Sequence, residues 1–222
     1  MARMSAGLVA LAGLLELASP VRAALRPSST CVPVVVGLDT TVADTAVSAV
    51  DSRGYGQVIV APDTLVSSVT AWKPAQPDTF PTPAVLYVTN VDSTGFPNTF
   101  GVLYTSPVTG GPFGDGIHPI PLTFNIDPPL VLPGRGRYFF VVVQQNVAFG
   151  MCIGVVRLLG NKDNAYADGG GFKTGISGCD SSGPGGVASP PSNLDMIFQI
   201  TFCDTSTPVR HSTWGELKSR YH

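Results

Sequence analysis

The chain is short of charge, and one charged residue type is almost missing. Only 13% of its 222 residues are charged. Glutamate occurs at Glu16 and Glu216 and nowhere between them. A glycoside hydrolase needs a carboxylic acid and a second carboxylate flanking the bond, so both would have to be aspartates here, and an Asp-based hydrolase ranks last among the readings. Histidine is nearly as scarce, with His118 alone lying outside the C-terminal segment. No G-x-S-x-G elbow accompanies it, which leaves a Ser-His-Asp triad without an activated serine. His118 therefore reads as a turn-edge residue satisfied by backbone. The formal net charge of -2 gives no basic footprint for nucleic acid or an anionic membrane, and no interleaving of basic and aromatic residues suits a single strand. There is no C-x-x-C and no histidine near a cysteine, so zinc is poorly supported. Together these absences lead to the expectation of a protein that is not an enzyme.

What is present points to strands. Gly (25) and Pro (20) make up 45 of 222 residues, too many helix breakers for a helical bundle and well matched to short strands joined by turns. The stretches between the turns are apolar enough for a packed core. Period-two alternation is clear in His118-PIPLTFNI, where Ile120, Leu122, Phe124 and Ile126 share one face and Pro119, Pro121, Thr123 and Asn125 the other. It recurs in Leu194-DMIFQITF, which groups Leu194, Met196, Phe198, Ile200 and Phe202. Further strands are expected at 32–38, 55–61, 65–72, 83–91 and 100–106. The run Arg137-YFFVVVQQ is apolar on both faces and suits a central strand. Asp127-PPLVLPGRG reads as a loop, because proline cannot donate to a ladder. Residues 161–192, dense in Gly, Ser, Asp and Pro, read as a long loop system. The expected fold is all-β, a two-sheet antiparallel β-sandwich of jelly-roll type. An immunoglobulin-like topology is the alternative, but Trp72 does not sit midway between two partner cysteines as that fold would require.

The N-terminus has the order of a secretion signal. Arg3 is followed by an apolar run at 6–17, a Ser19-Pro20 break and the small residues of Val21-Arg22-Ala23. The expected domains are a signal peptide at 1–23, a β-sandwich at 24–203, and a linker with a short helical tail at 204–222. The apolar run is too short to span a bilayer, and no later run replaces it, so no membrane span is expected in the mature chain. The expected location is secreted, extracellular or at the cell surface. An even cysteine count in an exported chain argues for two disulfides among Cys31, Cys152, Cys179 and Cys203, with three connectivities open. Because terminal strands of a sandwich often pair, Cys31 with Cys203 is preferred. Cys152 with Cys179 would then close a loop of about 27 residues, worth about 3 kcal/mol in the chain-entropy model.

The stretches Tyr55-GQVIVAPDTLVSSVTAW, Pro112-FGDGIHPIPLTFNIDPPLVLPGRGRYFFVVV and Asn193-LDMIFQI resemble the jelly-roll domains of secreted bacterial proteins that carry C-terminal surface-anchor or sorting tails. Those domains are similar in architecture to carbohydrate-binding modules. The resemblance covers roughly the span from the first to the last expected strand. It implies an exported surface or matrix protein and names no ligand.

Candidate sites follow from side-chain chemistry. A sugar site wants an aromatic platform ringed by amides and carboxylates, and Trp72, Tyr87, Tyr104 and Tyr166 are the candidates, with core packing the alternative for each. Asn161, Asp163, Asn164 and Asp168 could offer oxygen ligands to a structural calcium, the one cofactor the residues suggest. Their spacing fails the EF-hand pattern, and a role as turn formers capping local backbone is the favoured reading. Asp195 could reach a loop cation or accept backbone bonds. In the tail, Thr213 and Glu216 form a capping box, and Trp214, Leu217 and Tyr221 fall on one helical face, with Lys218 and Arg220 in the last turn. So short a helix needs a partner. Two readings stay open: it docks on its own domain, or an export or surface-attachment protein reads it as a tag. The expected role is non-catalytic binding at a surface or in an extracellular matrix, with carbohydrate the foremost ligand class. The alternative is a structural or assembly component that uses its tail.

Overall fold

The computed structural model describes residues 32–48, 54–77, 83–144, 157–175, 183–186 and 194–204. These lie within one compact unit, Cys31–His222. The expected signal, the cysteines Cys31, Cys152 and Cys179, and the tail residues Trp214, Leu217, Lys218 and Tyr221 fall outside the described residues. Cys203 is disulfide-bonded.

The described residues are all-β, with no α-helix and hence none long and apolar enough to cross a membrane. The strands are β1 (Val32–Gly37), β2 (Thr45–Ser48), β3 (Gly54–Ala61), β4 (Leu65–Lys73), β5 (Ala84–Val91), β6 (Pro97–Thr105), β7 (Ile120–Val131), β8 (Gly136–Gln144), β9 (Arg157–Asn161), β10 (Gly171–Thr174), β11 (Asp195–Met196) and β12 (Phe198–Asp204). They form a four-stranded sheet in the order β1-β12-β4-β7, a five-stranded sheet in the order β10-β3-β8-β5-β6, and a three-stranded sheet in the order β11-β9-β2. All pairings are antiparallel. The long strands pair in a nested series: β5 with β6, β4 with β7, β3 with β8, and β1 with β12.

The alternation expected from the sequence is what positions the core. In β7, Ile120, Leu122, Phe124 and Ile126 are buried while Pro121, Thr123 and Asn125 are exposed. The inward residues of the four-stranded sheet, among them Val69, Ala71, Phe124, Phe198 and Ile200, belong to the same hydrophobic cluster as Ile59, Leu86, Val88, Phe140 and Val142 of the five-stranded sheet. Burying each large side chain contributes about 1.5–3 kcal/mol relative to exposure. Strand β8 is central in its sheet and buried on both faces, as its apolar run predicts. Phe140 and Val142 enter the shared cluster, whereas Phe139, Val141 and Val143 form a second one with Val58, Tyr87 and Phe172.

Three local expectations need correction. The stretch at 127–136 is not all loop, since β7 runs on to Val131. Asn125 stands opposite Ser68 and Leu130 opposite Val66, so residues 126–129 of β7 face the single residue Ser67. Pro128 and Pro129 therefore lie in a bulge on an edge strand, where no ladder donor is needed. Residues 161–192 are likewise interrupted by β10, which pairs with β3. Its glycine was a turn signal in the sequence but serves close approach in the fold: a Cβ at Gly171 would overlap the Tyr55 hydroxyl and the Leu194 carbonyl. Finally, 194–202 is two strands. At Ile197 the chain leaves the three-stranded sheet for the four-stranded one, and the Ile197 N–H donates to the Leu159 carbonyl at 3.0 Å.

Candidate functional site

The outward face of the four-stranded sheet carries the pattern of greatest interest. Residues directly opposite one another across paired strands share a face. The register sets Val35, Thr201, Ser68 and Asn125 in one row, and Gly37, Gln199, Thr70 and Thr123 in the next. Trp72 and its cross-strand partner Pro121 follow at the end of the face. Trp72 is half-buried, as are Ser68, Thr70, Gln199 and Thr201, while Pro121, Thr123 and Asn125 are exposed. The hydroxyls of Thr70 and Thr123 lie 3.0 Å apart. No residue in these rows carries a formal charge. The face thus presents hydroxyls and amides at strand spacing, with the exposed Val35 at one edge and one indole at the margin.

The other candidate aromatics do not join Trp72. Tyr87 on β5 is buried in the second hydrophobic cluster and offers no ring face to solvent. Tyr104 on β6 is half-buried and packs against the main core, and burial pushes its hydroxyl upward in pKa. Tyr166 packs edge-on against Phe198, with ring centroids 5.3 Å apart, and its hydroxyl accepts from the Val60 N–H at 3.2 Å. Burial pushes the Tyr166 hydroxyl up as well. The four rings are therefore distributed over both larger sheets and a loop.

Of the polar loop residues, Asn161 holds backbone. The Asn161 amide donates to the Val42 carbonyl at 2.7 Å and its oxygen accepts from the Asp163 N–H at 2.9 Å. Both ends of this buried side chain are occupied, as the turn-forming reading expects. Asp163, Asn164 and Asp168 are exposed. Among the described residues no group of three or more His, Cys, Asp or Glu converges.

Asp195 sits where the three-stranded sheet meets β3, fully buried. Its two oxygens accept from Gln57 Nε2 and from the Tyr166 N–H, each at 2.8 Å. Gln57, also fully buried, accepts the Met196 N–H on its own oxygen at 2.9 Å. Beside them the Tyr55 hydroxyl donates to the Leu194 carbonyl at 2.6 Å. Burial, and then the Asp195 charge, hold the Tyr55 hydroxyl far above the ordinary tyrosine range. This clip fixes residues 194–196 and the start of the 166–170 loop on β3.

His118 is exposed at the head of β7, and its Nδ1 lies 2.6 Å from Asp115 Oδ2. The other Asp115 oxygen accepts from the N–H groups of Ile117 and His118, each at 2.8 Å. The backbone and side-chain bonds from His118, then the bond from Ile117, hold the Asp115 carboxyl well below the usual carboxylate range. The pair braces a turn.

No protein-family model, curated protein or solved structure matches the chain. Trp72 was nominated by residue type, and Thr123 and Asn125 were legible as the wet side of an alternating strand. Ser68 and Thr70 share the strand parity of Trp72 in the sequence, a mixed face that leaves its burial open, whereas only cross-strand register brings Gln199 and Thr201 beside them.

Proposed function

We propose that the chain is a secreted, non-catalytic β-sandwich module of jelly-roll type that binds carbohydrate on the outward face of the four-stranded sheet. The strand order supports the architecture. With the eight long strands renumbered 1 to 8 along the chain, the larger sheets run 1-8-3-6 and 2-7-4-5, the arrangement reached by wrapping one long nested hairpin into two facing layers. The shared core cluster is what such a pair of layers would enclose. Export is supported by the N-terminal order of charge, apolar run and small residues, and by the disulfide-bonded Cys203, which suits an oxidising compartment.

One observation carries the ligand class: an uncharged field of hydroxyls and amides that ends on the Trp72 indole. Sugars present alternating hydroxyls and apolar C–H faces, which hydrogen bonding and ring stacking recognise together. A face meant only for solvation would be expected to hold lysines and carboxylates. Binding of the full chain to insoluble polysaccharides tests the reading. Retention on one polysaccharide class, lowered about tenfold in affinity by Trp72→Ala and lowered further by Thr123→Val, is the expected result. Equal retention of wild type and both variants would remove the face from consideration.

A further inference from the structure

A concavity lies on the outward side of the five-stranded sheet, away from the polar face. It is open to solvent and holds about 280 Å³, with Val58 and Phe172 at its floor. One wall is the turn between β5 and β6. Asp92 braces this turn by accepting from the Thr94 N–H at 2.8 Å, the Thr94 hydroxyl at 2.6 Å and the Phe96 N–H at 2.9 Å. Phe96 in turn packs edge-on against Phe172 at 5.2 Å.

The other wall is the 166–170 loop, held at several points. The Tyr166 N–H donates to Asp195, and the Val58 N–H donates to the Gly170 carbonyl at 2.9 Å. A Cβ at Gly169 would overlap the Val58 carbonyl, so this wall lies flat on β3 only because residue 169 is glycine. Both walls are fixed before any ligand arrives, which lowers the ordering cost of binding.

Two opposite charges line the cavity, Arg137 and Asp168, both exposed. Neither is ion-paired among the described residues, where the ion pairs are His118 with Asp115 and Arg135 with Asp63. The Arg137 guanidinium crosses the turn at Gly95, where a Cβ would come within 3.3 Å of Nη1. Gly95 also has a φ of +88°, a conformation that favours glycine.

We propose that this cavity binds one uronic acid residue of an acidic saccharide. Arg137 would take the carboxylate in its bidentate fork. Asp168 and Thr94, whose hydroxyl hydrogen is already given to Asp92, would accept hydroxyl donors from the ring. The volume sits at the small end of ligand pockets, which suits a single ring. An amino acid would satisfy the same two charges, but an apolar side chain finds little surface here, since Val58 and Phe172 are both nearly buried. The inference rests on the reading of the protein as a saccharide binder, and adds a second, charged subsite to it.

Calorimetric titration of the full chain with D-glucuronate, D-glucose and L-alanine tests it, with Arg137→Gln, Arg137→Lys and Trp72→Ala as variants. Arg137 is exposed, so its replacement leaves the fold intact. D-glucuronate should bind at least about tenfold more tightly than D-glucose, and Arg137→Gln should lose about ten- to a hundredfold in affinity. Arg137→Lys should recover part of that loss and Trp72→Ala should have no effect. Failure of D-glucuronate to bind, binding indifferent to Arg137→Gln, or preference for L-alanine would each overturn the proposal. If D-glucuronate fails while neutral polysaccharides still bind through Trp72, the cavity alone is refuted. If neither binds, both readings fall.

Discussion

Removing the Asp195 carboxylate should be among the most damaging single changes in this domain, and the hydrogen bonds say by how much. Asp195→Ala leaves two donors without acceptors, Gln57 Nε2 and the Tyr166 N–H. A buried donor left unpaired costs about 1–3 kcal/mol. Gln57 is fully buried and belongs at the upper end, while the Tyr166 bond is only part-buried and belongs at the lower. The sum is about 4 kcal/mol, a large share of the roughly 5–15 kcal/mol that stabilises a domain. At about 2–4 °C per kcal/mol for a domain of this size, the midpoint should fall by about 8–16 °C.

A double-mutant cycle with Gln57→Ala isolates the bond itself. Gln57→Ala alone strands the Met196 N–H and one Asp195 oxygen. In the double variant the Gln57 amide and the Asp195 carboxylate no longer strand each other, so its loss should fall short of the sum of the singles by at least about 1 kcal/mol. Urea unfolding followed by tryptophan fluorescence at fixed pH supplies all four corners. Additivity within about 0.5 kcal/mol would refute the Gln57–Asp195 bond as an energetic contact.

Stability should also respond to pH at both extremes. Asp115 has a folded pKa below its ordinary value of 3.8, so the unfolded chain takes up protons first as pH falls. The contribution is present above the ordinary carboxylate range and is lost as pH drops through the folded value. Acid titrations of wild type and Asp115→Asn should show a shallower loss of stability below about pH 4 in the variant; identical slopes would contradict the assignment. Tyr55 has the opposite sign. Its folded pKa is raised, so its contribution is complete below the unfolded value of about 10 and declines above it. Tyr55→Phe should cost about 0.5–1.5 kcal/mol at neutral pH through the lost bond to Leu194, and should reduce the alkaline decline seen by circular dichroism. Gly169→Ala should destabilise by about 2 kcal/mol or more, because the added methyl meets the Val58 carbonyl; an unchanged urea midpoint would show that the loop has room to move.

Much of the fold was legible because alternation is a local signal. Strands β1, β3, β4, β5, β6 and β8 lie close to the stretches named from residue pattern alone, and the buried side of β7 was named residue by residue. The misreadings share one physical cause. Proline and glycine read as punctuation in a sequence, whereas Pro128 and Pro129 sit in an edge bulge and Gly171 allows backbones to approach. Neither role shows without the neighbouring strand. The short strands β2, β9 and β10 were missed for a related reason, since four or five residues are too few to display a period. For the candidate site, Trp72 could be nominated but not placed. Its companions Gln199 and Thr201 lie well over a hundred residues further along the chain, and only the β12–β4 register unites them. The partners of Asp195 were equally out of reach: the sequence leaves open a loop cation or backbone bonds, and one of the two donors is the Gln57 side chain.

The central claim is that the outward face of the four-stranded sheet binds carbohydrate, and thermal unfolding of the full chain against a glycan panel, with and without calcium, tests it most directly. A ligand that binds only the folded state raises the midpoint by mass action, by about 2.7 kcal/mol of stability at a hundredfold excess over Kd. The account predicts a raised midpoint with one glycan class, largely abolished in Trp72→Ala and retained in Arg137→Gln when the glycan is neutral. No shift with any glycan at millimolar concentration, or a shift that Trp72→Ala leaves untouched, would contradict it.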